Sequence, residues 1–323
     1  MRPFVLLLML VVVSAGTSAA QPAARPAGQP DPAPGYTPER VFDSDRKAFT
    51  DFESMLAELS YADVVFVGEQ HDDPNTHRLE LAVLDGLARR RGNIVLSLEM
   101  FERDVQAVVD DYLAGRTTEE AFLKASRPWP RYQADYRPLV EFARARGWTL
   151  VAANVPRPLA NAVSKAGLAH LDSLSPETRA HASRDLDCPF DDYFDRFDET
   201  MNAHPMPGAE KQSAEEKRQM TERFYFAQCV KDETMAESIA GAYQRVAESR
   251  PLVVHFNGSF HSDFGWGTAA RVERRLDGAR VKILTVWPVA DLDRLKPSKD
   301  DRKVADYLVY TLDTRKRETN AGR

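Results

Sequence analysis

The strongest constraint in this chain is a series of short, nearly unbroken apolar runs, each closed by a polar cluster and followed by a helix-like stretch. The runs are Val64-Val65-Phe66-Val67, Ile94-Val95-Leu96-Ser97-Leu98, Leu150-Val151-Ala152-Ala153, Leu252-Val253-Val254-His255-Phe256 and Val281-Lys282-Ile283-Leu284-Thr285-Val286. A strand without a polar face needs cover on both sides, and strands that alternate with helices pair in parallel. The pattern predicts an α/β fold, a mostly parallel sheet flanked by helices.

Helix signals lie between the runs. Asp73 before Pro74 suits an N-cap and a first helical position, Leu79, Ala82, Val83 and Leu87 line one face, and Gly92 is expected to close the segment. Val105, Val108, Val109, Tyr112 and Leu113 form a second stripe at helical spacing. Both stripes are core-facing surface and carry no chemical role.

Residues 39–158 and 250–312 read as the α/β domain. From Leu159 to Pro251 no convincing strand occurs, too long a gap for a crossover helix, so 159–249 is expected to be a smaller all-helical insertion domain. Within it Ser213 and Glu216 match a capping box, and the following residues suggest a long helix carrying Phe224, Tyr225, Phe226, Gln228, Asp232 and Met235. Residues 313–323 read as a flexible tail.

The start of the chain reads as an export signal. Arg2 precedes the apolar run Phe4 to Val13, and small residues ending Ser18-Ala19-Ala20 suit cleavage after Ala20. The run is about half the roughly 20 residues a spanning helix needs, and no second such run follows. A periplasmic or secreted protein without a transmembrane segment is the expectation. No Cys beside the cleavage region could accept a lipid. Residues 21–38, rich in Pro, Ala and Gly, read as a disordered leader.

Loss of Arg2 takes the formal charge from -6 to -7, which argues against nucleic acid as a partner. Cys188 and Cys229 are the chain's two cysteines. They exclude a four-thiolate zinc site, and an oxidising compartment leaves their pairing open.

In open parallel sheets ligands bind beyond the carboxyl ends of the strands. Here those ends are Gly68-Glu69-Gln70-His71-Asp72-Asp73, Glu99-Met100-Phe101-Glu102, Asn154-Val155-Pro156-Arg157 and Asn257-Gly258-Ser259-Phe260-His261. Glu99 is the hardest to explain structurally, because a carboxylate that closes an apolar strand needs a cation or several donors to stay charged. Glu69, His71, Glu99 and His261 would supply ligands to zinc, manganese or iron, or the acid, base and metal ligands of a hydrolase. There is no HExxH and no G-x-S-x-G, so neither a helical zinc protease nor a serine hydrolase is expected.

These motifs, taken in order together with Asp232-Glu233-Thr234-Met235-Ala236, resemble the ChaN-like haem-binding uptake proteins of the Tiki superfamily. That superfamily also holds erythromycin esterases and TraB-type proteins. The resemblance runs from about Tyr61 to Val289. It implies an exported bacterial protein that binds haem, or another metal-containing ligand, during iron uptake, as a homodimer with haems between subunits. It also implies that Glu69, His71, Glu99 and His261 occupy an ancestral metal-hydrolase centre, so the alternative is a metal-dependent hydrolase, esterase or peptidase-like. The family's haem ligand is expected to be a Tyr, for which Tyr193 and Tyr225 are the candidates, with Asn154, Arg157, Asp232 and Asn257 as further cofactor-binding positions. Well-known members are lipoproteins, and this chain departs from them in lacking the lipid-accepting Cys.

Overall fold

The computed structural model describes residues 37–204 and 213–313. The expected signal peptide, nearly all of the expected leader and nearly all of the expected tail lie outside the described residues. Among the described residues no helix is long and apolar enough to cross a membrane.

The strands are β1 (Glu39–Asp43), β2 (Ala48–Thr50), β3 (Val64–Glu69), β4 (Ile94–Glu102), β5 (Leu150–Asn154), β6 (Leu252–Gly258), β7 (Val281–Val289) and β8 (Tyr307–Leu312). They form one 8-stranded sheet in the order β2-β1-β8-β7-β3-β6-β4-β5. β1 pairs antiparallel with β2 and with β8. Every other neighbouring pair is parallel. Each apolar run of the sequence is a strand of the parallel part. The hairpin β1–β2 and the strand β8 were not legible, since β1 is short and charged at three of its five positions, β2 is an edge strand of three residues, and β8 follows a long polar stretch.

Alternation decides what each face receives. Val65, Val67, Leu96, Leu98, Val254 and Phe256 pack on one side, with Leu79, Val83 and Leu87 of the helix Pro74–Ala88 and Leu139 and Val140 of the helix Arg137–Arg146. Val64, Phe66, Val95 and Val253 pack on the other, against Met235, Ala236, Ile239 and Ala240. Removing side chains of this size from water contributes about 1.5–3 kcal/mol each.

The helix Pro74–Ala88 starts as expected, with the Thr76 amide donating to Asp73 Oδ2 at 3.0 Å and Pro74 in its first turn. It ends before Gly92, because Arg89 caps it in a right-handed conformation and no left-handed residue is needed. The 159–249 segment is helical, and no strand interrupts it among the described residues. The capping box at Ser213 and Glu216 opens one unbroken helix, Ala214–Arg245. The second half of that helix is part of the cover of the sheet, through the residues from Met235 onward.

Register then brings the chemistry together. β6 lies between β3 and β4, with Glu69 opposite Gly258 and Leu98 opposite Phe256. Glu69 shares the face of Val65 and Val67, whereas Glu99 shares that of Val95 and Ser97. The two carboxylates therefore approach the end of β6 from opposite faces of the sheet.

Candidate functional site

Glu69, His71, Glu99 and His261 meet around Gly258. The Gly258 amide donates to Glu99 Oε2 at 2.7 Å, and His261 Nε2 lies 3.4 Å from Glu99 Oε1. His71 Nδ1 is hydrogen-bonded to Glu69 Oε1. The His71 ring lies against Gly258, where a methyl group would fall 2.7 Å from its Nε2. Absence of a side chain at Gly258 is what lets the imidazole reach the cluster. His71 is the accessible member, its side chain 27% exposed, with Trp129 edge-on at 5.1 Å.

His261 follows β6 in a short 3-10 turn, Ser259–His261. Its Nδ1 lies 2.6 Å from Asp232 Oδ1, which also accepts from Thr268 Oγ1 at 2.8 Å. The other Asp232 oxygen accepts from the Tyr193 hydroxyl at 2.9 Å. Gln228 Nε2 lies 3.2 Å from that hydroxyl and 3.3 Å from the His261 ring nitrogens. On the other side the Tyr136 hydroxyl donates to Glu69 Oε1 at 2.9 Å.

Charge follows from these partners. Burial works to raise the Glu69 carboxyl, but the His71 and His77 imidazoles outweigh it and hold it at about 2. Burial likewise opposes ionisation of Glu99, and His261 and His71 overcome it, leaving Glu99 far below the usual carboxylate range. Burial works to lower His261, but Glu99 and Asp232 lift it to about 9. His71 is lifted by Glu69 against the same opposition. His255, buried beneath with its Nδ1 2.8 Å from Ser97 Oγ, is driven down to about 3 by burial and stays neutral. The site is thus two imidazoles, each with Nδ1 fixed by a carboxylate and each next to Glu99, a pattern that sets tautomer and orientation for ligation or proton transfer.

The other expected positions divide. Asn257 sits beside the cluster, its amide donating to Gly258 O at 2.8 Å and Ser262 Oγ at 3.0 Å. Asn154 accepts from the Val155 amide at 2.8 Å and shapes its own loop. Arg157 is exposed and lines a separate cleft with Glu102 and Arg127. Tyr225 is buried, and its hydroxyl donates to the Pro189 carbonyl at 2.6 Å. Sequence reasoning assigned no role to Gln228, Tyr136 or Trp129. Gln228 was legible only as lying one helical turn before Asp232, and the other two come from a segment with no strand-end signal.

Above Tyr225 the surface is aromatic. Phe190 is 53% exposed, 4.5 Å from Phe194, 5.8 Å from Phe226 and 6.0 Å from Tyr225, ring centre to ring centre. A disulfide joins Cys188 to Cys229, so the loop carrying Pro189 and Phe190 is fastened to the helix carrying Tyr225. For haem, this patch fits the need for an apolar face, with a phenol one hydrogen bond below it. The pocket at Gly258 instead fits a metal ion, by its imidazole and carboxylate donors.

Fold and pocket define an α/β protein with a mostly parallel sheet and a histidine–carboxylate centre at the carboxyl ends of its parallel strands. The chain belongs to the haem-binding uptake family of the Tiki superfamily, ChaN, which residues 55–272 match. A structure of ChaN of Campylobacter jejuni with cofacially bound haem is similar in fold, with a TM-score of 0.64 at 16% identity, covering 84% of this chain and 96% of that one. An erythromycin esterase in its open conformation matches with a TM-score of 0.40 and 12% identity, over 85% of this chain and 83% of that one. The protein RETICULATA-RELATED 5, chloroplastic, of Arabidopsis thaliana is 24% identical over 272 residues, 81% of this chain. The chain spans 36% of that relative's length.

Proposed function

We propose that this chain is an exported haem-binding protein of iron or haem uptake, and that haem lies on the Phe190 face. The observation that carries the reading is that face: an exposed aromatic patch, fastened by a disulfide, over the buried phenol of Tyr225. Membership of a haem-binding family supplies the ligand class. Bound haem would supply the iron to be carried. Phe190, Phe194 and Phe226 would exclude water from the porphyrin face, and Tyr225 would exchange the Pro189 carbonyl for the metal. Tyr193 is less suited, since its hydroxyl is buried on Asp232. Cofacial haem binding in the Campylobacter relative supports a homodimer that closes over this face. The disulfide supports export, because such bonds persist in oxidising compartments.

Haemin titrated into the purified chain tests this. Saturable growth of a Soret band is expected at micromolar haemin, weakened at least tenfold in Tyr225→Phe and in Phe190→Asp. No saturable spectral change in the parent chain would sink the reading.

A second reading, a metal-dependent hydrolase, is favoured by the pairing of His71 with Glu69 and of His261 with Asp232 beside Glu99. A divalent ion held by His71, His261 and Glu99 would supply a Lewis acid. Glu69 would then hold the His71 proton at Nδ1 and leave Nε2 for the ligand. Chelator-sensitive hydrolysis of an ester or amide library, lost in His71→Ala with His261→Ala, is its signature.

A further inference from the structure

Behind the pocket, on the face away from Glu99, a second polar cluster is sealed inside the protein. His77 and Glu80 lie three residues apart on the helix Pro74–Ala88 and face the end of β3. His77 Nδ1 stands 3.0 Å from Glu80 Oε2 and 3.7 Å from Glu69 Oε2. Donor atoms of Glu69, His77 and Glu80 all lie within 4.8 Å of one another, and all three residues are buried.

The hydrogen bonds of this cluster leave two oxygens unserved. Glu69 Oε1 is served by His71 and Tyr136, but Glu69 Oε2 has no hydrogen-bond partner, nor has Glu80 Oε1. Both side chains are fully shielded from water. Buried carboxylate oxygens with no donor are costly unless a cation or a proton serves them. His77 points the same way. Its Nε2 lies 3.2 Å from the His71 carbonyl oxygen, which can only accept, so Nε2 carries a hydrogen. A ring nitrogen that donates to a backbone carbonyl leaves its partner to act as a ligand, the usual support of a metal-binding histidine. The other nitrogen, Nδ1, is the one that faces the two carboxylates.

We propose that Glu69 Oε2, Glu80 and His77 Nδ1 bind a divalent transition ion of the zinc, manganese or iron class, in a buried structural site behind the His71 pocket. One imidazole with two carboxylates suits those ions, and burial leaves no approach for a substrate. Glu69 would serve both centres, giving one oxygen to His71 and the other to the ion. Binding at this site would fasten the helix Pro74–Ala88 to the end of β3 and so steady the His71 loop between them. The proposal does not depend on haem binding or on an ion at His71 and His261.

The test is metal content of the full chain after loading with zinc or manganese and desalting, together with its thermal midpoint. The His71→Ala/His261→Ala double variant, which removes the ligands of the outer pocket, is expected still to hold tightly bound metal. Glu80→Gln, which keeps the shape, and His77→Ala, each added to that double variant, are expected to hold at least tenfold less of it. A chelator should lower the parent's midpoint and added ion should restore it, a readout that needs no variant. Glu80→Gln that retains the metal in the double-variant background would overturn the proposal. So would a parent chain that binds none and whose midpoint ignores both chelator and ion, in which case a proton shared between Glu69 and Glu80 serves the two oxygens.

Discussion

His261 Nδ1 stands 2.6 Å from Asp232 Oδ1, which ties the turn after β6 to the middle of the helix Ala214–Arg245. Asp232 is fully buried and accepts from His261, Thr268 and Tyr193, so its charge is held by donors from separate elements. Asp232→Asn keeps the shape but removes the charge and places an amide where those donors converge. We expect a loss of about 3–5 kcal/mol, the usual cost of breaking one side of a buried pair. The His261 pKa should also fall from about 9. Urea denaturation and proton NMR of the His261 ring measure the two effects, and unchanged values in both would contradict the role given to Asp232.

Stability should depend on pH from both sides. His261 has a folded pKa raised to about 9, above the unfolded value of about 6.5. Its contribution is complete below that unfolded value and disappears as pH rises through the folded one. His255 has the opposite sign, its folded pKa depressed to about 3, so its neutral burial costs stability as pH falls below about 6.5. The expected outcome is a maximum near neutrality, with decline as pH rises to about 9 and again toward acid. Urea midpoints across that range would show it, and His255→Asn should flatten only the acid limb.

Gly258→Ala probes the pocket without touching the aromatic face. Its methyl would lie 2.7 Å from His71 Nε2 and 2.8 Å from Cε1, so the imidazole must swing away from Glu99. Overpacking of this kind costs about 1–3 kcal/mol. Metal-dependent or hydrolytic activity at His71 and His261 should fall at least tenfold, while haemin binding at Phe190 should hold. Equal loss of both would place haem in the Gly258 pocket instead.

Much of the sheet was legible because its parallel strands are buried on both faces and so read as unbroken apolar runs. Glu69, His71, Glu99 and His261 were legible for a related reason, since each stands at or just past the end of such a run. What escaped was set by tertiary approach. Gly92 looked like a helix stop, but Arg89 ends that helix without a left-handed residue. Tyr136 reaches Glu69 from a short-helix region far along the chain, and nothing in its neighbours marks it. His77 and Glu80 drew no role from the sequence, because a His and a Glu three residues apart on a helix are common, and only the packing of that helix on β3 shows that Glu69 completes the cluster.

The disulfide gives the most direct test of where haem sits. Cys188 and Cys229 are separated by 41 residues, and closing a loop of that length restricts the unfolded chain enough to stabilise the fold by about 2–4 kcal/mol. The same bond holds Pro189 and Phe190 over Tyr225. Replacement of both cysteines by serine should therefore lower the urea midpoint and free the loop. If haem rests on Phe190, the haemin affinity of that variant should drop at least tenfold under conditions where circular dichroism still shows a folded chain. If haem rests at Gly258, the variant should bind as tightly as the parent, because His71 keeps Glu69 on β3, Glu99 keeps the Gly258 amide on β6 and His261 keeps Asp232 on the helix Ala214–Arg245, bonds in which the disulfide takes no part.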